Sequence, residues 1–335
     1  MKINHQKQGF TSVLFALIGN LMITIMKSVG FYISGSSALF SEAIHSFADT
    51  MNQSLLMIGI KKSSKAADEE FVYGYGQERF LWALISACGI FFLGAGVTIV
   101  NGINVIRHPE PVHINSFTFI ILIVSFIIES ITFFKAFKEL KANAKATGTK
   151  SLFSDGDPTT IAVIYEDGVA LLGVLVAFVS ILLYKFTQNV YWDAAGSIII
   201  GLMLGVIAII LINKNRSFLI KKSIPEKIKK KIIKILESDP VVEKVLDFKS
   251  TILDVGSYHI KCEIEFNGSA LLKKIEGNDL KEDYDEIKDS FEEFKKYLAR
   301  HIDRTPRIIG QRIDEIERRI QREVPGIEHI DIEVN

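Results

Sequence analysis

Six long, mainly apolar stretches follow one another in the first two thirds of the chain. They run from about Phe10 to Ile33, Ala38 to Ile60, Phe80 to Ile106, Phe117 to Phe137, Thr159 to Tyr184 and Trp192 to Ile212. A bilayer core of about 30 Å needs roughly 20 helical residues, so each stretch is long enough for one span. Inside lipid every backbone N–H and C=O must be satisfied within the protein, and segments of this length do so as helices. The opening MKINHQKQ is short and basic, but the apolar run behind it exceeds signal-peptide length and lacks a clear small-residue cleavage site, so it reads as a first span.

With 48% apolar residues and a mean hydropathy of +0.26, the 335-residue chain is too apolar for an ordinary soluble enzyme. Its 39 basic and 39 acidic residues cancel, which removes the usual electrostatic footing for a nucleic-acid partner. Of these, 25 basic and 25 acidic residues lie between Lys214 and Asn335. The expected division is a transmembrane domain over 1–213 and a cytosolic domain over 214–335. Cys88 and Cys262 stand too far apart in sequence to form a CxxC knuckle or a disulfide framework.

Lys61, Lys62, Lys65 and Arg79 lie between the second and third stretches, and Lys138, Lys141, Lys145 and Lys150 follow the fourth. The alternate loops are nearly bare of positive charge, which predicts cytoplasmic N- and C-termini. Asp157-Pro158 reads as an N-cap followed by proline at the first helical position. Beyond the spans, Ile224 to Leu236 has helical spacing, while Val245 to Phe248 and Tyr258 to Phe266 read as strands. A charged helical region from Leu280 to Val324, interrupted at Arg304 to Gly310, precedes a closing strand, Ile327 to Val334. That order suggests a small α+β domain. Residues 269 to 310 are expected to add an extra surface helix.

Ionisable groups inside spans are costly and signal function. Glu42, His45, Asp49 and Gln53 are spaced three, four and four residues apart, hence on one helical face. Glu166 and Asp167 lie in the fifth stretch, after Thr159 and Thr160. An imidazole and a carboxylate one turn apart, joined by a carboxylate from another helix, can grip one metal ion. Structural pairing with Lys27 or Glu129 is the competing explanation for such groups.

The segment Gly35 to Gln53, GSSALFSEAIHSFADTMNQ, resembles the second-helix metal motif of the cation diffusion facilitators, metal/proton antiporters. The similarity continues through Tyr73 to Phe80, through Asp167 with Gly173-Val174, and through Asp193 to Gly201, covering nearly the whole chain. The DPTTIAV…ED pattern of Asp157 to Asp167 looks closest to the zinc-transporter branch. The resemblance implies six transmembrane helices and a cytosolic αββα-type, ferredoxin-like tail that dimerises. It implies metal ligation by His45, Asp49 and Asp167. The family's remaining ligand falls on Val163, which cannot ligate. Glu166, Glu42 or a water is left for that place, Glu166 being rotated about 100° by its one-residue offset. In the tail, Cys262 occupies roughly the place of a histidine ligand in relatives, and His329 with Asp331 forms a possible chelating pair.

Divalent metal and protons compete for such ligands, which gives antiport from one site; the resemblance implies efflux from the cytosol. An imidazole with carboxylates suits Zn2+ first, with Mn2+, Fe2+ and Co2+ as alternatives, and no thiolate near the motif favours Cu+. The expected assembly is a homodimer in a lipid bilayer, in the cell membrane if the host is prokaryotic. Its further partners are divalent metal ions and protons, with no resident cofactor and no nucleic acid. Two functions of other classes fit the same residues, an intramembrane metal-dependent hydrolase and a non-transporting metal receptor.

Overall fold

A computed structural model describes the backbone of residues 2–147, 158–271, 284–285 and 287–335; among these, the side chains of 2–16, 139, 142–147 and 158–163 are left aside. The chain forms two compact units, Met1–Ser217 and Phe218–Asn335.

The first unit is helical: α1 (Lys2–Ser34), α2 (Ser37–Ser63), α3 (Glu78–Gly89), a π-helical stretch (Ile90–Gly96), α4 (Val97–Arg107), α5 (Ser116–Thr147), α6 (Pro158–Thr187) and α7 (Tyr191–Leu219). Five segments are long and apolar enough to cross a membrane: Leu17–Ser34, Glu78–Arg107, Ser116–Lys138, Ile164–Thr187 and Tyr191–Leu219. Helix α2 has 27 residues, but its polar face lowers its hydropathy. Large apolar side chains such as Met22, Phe92, Phe134 and Val206 point outward, as lipid permits. Small residues let the helices approach closely. A Cβ on Gly196 would stand 2.6 Å from the Cβ of Ser180, and one on Gly102 would stand 2.7 Å from Ile198.

The third stretch, expected as one uniform helix, is widened in its middle over Ile90–Gly96. Gly89 and Gly96, at φ −59° and −61°, bound it with ordinary right-handed helical backbone. Asp157, the expected N-cap of α6, lies outside the described residues, and so does the side chain of Val163.

Gly35, at φ +68°, ends α1 and turns the chain directly into α2. The first backbone donors of α2 then find a carboxylate from another helix. Asp193 of α7, fully buried, accepts from Ser36 Oγ and from the backbone N–H groups of Ser37 and Ala38. Ser36 Oγ also caps Leu39 N at 3.2 Å.

The second unit contains α8 (Glu226–Glu237), β1 (Val242–Asp254), β2 (Ser257–Phe266), α9 (Phe291–Glu323) and β3 (Ile327–Val334). The strand order is β1-β2-β3, with β2 antiparallel to β1 and parallel to β3. Ile260, Cys262 and Ile264 of β2 and Ile332 of β3 are buried with Ile232 and Leu236 of α8 and Ile316 and Ile320 of α9. Strand β1 runs well past the expected Val245 to Phe248, because the polar Lys249 to Thr251 keeps pairing with β2 through bulged register shifts. The expected interruption at Arg304 to Gly310 is absent: α9 continues through Pro306. Proline removes a single helical donor. The Arg307–Asp303 pair spans it, and the Thr305 Oγ1 bond to the His301 carbonyl ties the turn just before it. The expected surface helix is thus the outer part of α9, while 272–283 lie outside the described residues.

Asp193→Ala leaves two backbone donors and one hydroxyl of α2 unpaired, at about 1–3 kcal/mol for each buried group. A clear fall in the thermal unfolding midpoint of the detergent-solubilised protein is expected, with Asp193→Asn intermediate.

Candidate metal site

The polar face of α2 meets α1, α5 and α6 in the interior of the first unit. His45 is 3% exposed, and its Nε2 lies 3.2 Å from Asp49 Oδ2 one turn on. Asp49, Asn52 and Gln53 of α2, Glu129 of α5 and Glu166 and Asp167 of α6 line one cavity of about 50 Å3. A single water needs at least roughly 10–15 Å3, so that space has room for a small cation. Asp49 and Asp167 therefore face the same cavity, and His45 meets it through Asp49. Among the described residues no three His, Cys, Asp or Glu side chains gather tightly enough to hold a metal as they stand.

Glu166 is tied to α2. Asn52 Nδ2 donates to its two oxygens at 3.3 and 3.2 Å, and Ser86 Oγ of α3 donates to Asn52 Oδ1 at 2.7 Å. Asn52, seven residues after His45 and three after Asp49, shares their face, but as a neutral amide it stands outside the ionisable pattern, and spacing along α2 does not name Glu166 or Ser86 as its partners.

Glu42 is engaged elsewhere. Lys27 of α1, 1% exposed, donates to Glu42 Oε2 at 2.6 Å and to Glu129 Oε1 at 2.7 Å. The pairing with Lys27 considered for Glu42 and Glu129 is thus present. Three buried charges share one contact set, which offsets much of the desolvation each suffers. Buried Glu42 Oε1 and His45 Nδ1 nevertheless have no hydrogen-bond partner among the described residues.

The tail residues do not converge. Cys262 pairs with Ile332 across the sheet and is buried in the core; burial, reinforced by the Glu317 carboxylate, pushes its thiol up to about 12. His329 and Asp331 lie on the opposite face of the sheet. There Asp331 Oδ2 contacts His259 Nε2 at 2.9 Å, and the His259 and His329 rings lie 6.2 Å apart. Alternation along β2 puts His259 on the water-facing side but does not name Asp331 as its partner, because parallel pairing of β2 with β3 joins residues 72 positions apart.

Residues 13–220 match the cation efflux transmembrane domain family. Over 99% of its length the chain is 33% identical to metal tolerance protein C4 of Arabidopsis thaliana, of which it covers 74%. Over 96% of its length it is 33% identical to the mitochondrial proton-coupled zinc antiporter SLC30A9 of Mus musculus and 32% identical to that of Homo sapiens. It spans 58% of the length of each of these two mammalian proteins. The chain belongs to the cation efflux family, the cation diffusion facilitators. It is a multi-pass membrane transporter and not an enzyme, which removes the hydrolase alternative.

A buried neutral thiol is inert. In a Cys88→Ser background, Cys262 is expected to resist maleimide labelling at pH 7.5 in the folded protein and to label fully after denaturation.

Proposed function

We propose that the protein carries Zn2+ across its membrane in exchange for protons, through a site made by His45 and Asp49 of α2 with Asp167 and Glu166 of α6. The observation that carries this is the shared cavity of Asp49, Glu166 and Asp167, with the His45 imidazole against Asp49, inside a cation efflux domain. One imidazole and two or three carboxylates form a donor set suited to Zn2+, with Mn2+, Fe2+ and Co2+ as weaker alternatives. The mammalian relatives, named as proton-coupled zinc antiporters, point the same way. Glu166, held by Asn52 in this conformation, enters the shell when the ion arrives.

Binding requires neutral imidazole and ionised carboxylates, so protons arriving on one side displace the ion released there. Rocking of α2 and α6 around the cavity alternates the side to which it opens. In this arrangement α2 is the sixth crossing helix, its polar face turned from lipid, both termini are cytoplasmic, and the ion moves outward from the cytosol, the direction that the family resemblance implies. The tail is a ferredoxin-like domain that joins two copies in a homodimer. Cys262, in the tail's core, takes no part in metal binding, while His329 and Asp331 remain a weak surface pair.

In proteoliposomes with an imposed pH gradient, Zn2+ flux is expected to follow the gradient and to vanish in His45→Ala and in Asp49→Ala, the dimer persisting. Normal flux in Asp49→Ala removes the site. Zinc binding without any gradient-driven flux in the wild type indicates a receptor. Glu166→Gln is expected to weaken Zn2+ binding at least tenfold, and wild-type affinity in that variant removes Glu166 from the shell.

A further inference from the structure

The His45 ring stands between two carboxylates. Asp49 Oδ2 lies 3.2 Å from Nε2, and Glu42, one turn earlier on α2, has its Oε1 beside the same point of α6 that Nδ1 borders. Both Glu42 Oε1 and His45 Nδ1 are buried without a hydrogen-bond partner among the described residues. Both border one notch on α6, at Gly173. A Cβ there would stand 2.4 Å from Glu42 Oε1 and 3.8 Å from His45 Nδ1, so only glycine leaves the space open. The other oxygen of Glu42 is fixed by Lys27, which also holds Glu129.

An imidazole that ligates through one nitrogen needs an acceptor for the N–H on the other, and a carboxylate in that role fixes both tautomer and ring orientation. We propose that Glu42 is that acceptor: held by Lys27, it is a positioning residue that takes the Nδ1–H of His45 and presents Nε2, beside Asp49, to the ion. This rests on His45 being a ligand. It gives the two unpartnered atoms one common purpose, and it assigns Glu42 to orienting the ligand instead of binding the metal. Lys27 makes the assignment possible, because its ammonium occupies Glu42 Oε2 and leaves only Oε1 to turn toward the ring. Glycine at 173 keeps open the space that both atoms border.

The test uses the full chain in detergent, with zinc chloride as the probe. In 15N-histidine-labelled, zinc-loaded wild type, the His45 signal is assigned by its loss in His45→Ala. That signal is expected to show the metal on Nε2 and a proton on Nδ1; metal on Nδ1 overturns the proposal. Glu42→Ala is expected to weaken zinc binding about 10–100-fold. Glu42→Gln, which keeps a carbonyl acceptor, is expected to recover most of that loss. Wild-type affinity in Glu42→Ala, or an equal loss in Glu42→Gln, also overturns it. Full zinc affinity in His45→Ala instead refutes the ligand assignment itself, which separates the two failures. Should Glu42→Ala not fold, the wild-type spectrum decides.

Discussion

Hydrocarbon offers no partner to a charge, and in the helical unit this one fact decides where the ionisable side chains go. Lys27, Glu42 and Glu129 come from three helices and meet in a single cluster sealed from solvent. None could remain charged at that depth alone. The cluster therefore ties α1, α2 and α5 together at the level of the cavity, and it leaves the other polar groups of α2 free to face that cavity. Removing one member would strand the others, so the cluster works as a joint between helices as much as a source of stability.

Helix α2 has two jobs that compete. It must pack within a membrane domain, yet its inner face carries Glu42, His45, Asp49, Asn52 and Gln53. The conflict is resolved by surrounding that face with other helices and by anchoring its first turn. Asp193 reaches from α7 to bind the donors of Ser36, Ser37 and Ala38, so the start of α2 is held by a side chain more than 150 residues away. Ser41, bonded to Ser197 at 2.7 Å, adds a second tie to the same helix. With its N-terminal end fixed to α7, its middle linked through Asn52 to Glu166 of α6 and Ser86 of α3, and Glu42 held by Lys27 of α1, α2 carries polar connections to α1, α3, α6 and α7. A helix so placed is suited to carry the ligands of an ion that has to cross.

The second unit follows the rules of water instead. Alternation in β2 sends Ile260, Cys262 and Ile264 into a core with α8 and α9, and sends His259, Lys261 and Glu263 outward. Burial makes Cys262 a core residue and separates it from His329 and Asp331, which stand on the opposite face. Along the outer face, charges pair across the sheet, Lys261 with Glu333 and His259 with Asp331. Such exposed pairs contribute little to stability, and the domain depends on its apolar face.

The sequence by itself determined the helices, because long apolar runs allow no other backbone in lipid, and it determined the alternating strand and the polar stripe of α2, because both are local periodicities. It also singled out Lys27 and Glu129 as possible partners of buried acids, since unpaired charges there have no other remedy. Three features were legible only in part. The π-helical widening at Ile90–Gly96 leaves no mark in hydropathy, the passage of α9 through Pro306 runs against the helix-breaking habit of proline, and the length of β1 depends on its partner strand. Tertiary structure alone decided that Glu42 belongs to Lys27, that Asn52 holds Glu166, that Gly173 opens the notch beside His45, and that Cys262 and Asp331 face opposite ways. The reason is the same in each case: these relations join residues far apart in the chain, and spacing along one helix or strand fixes a face without naming what that face will meet.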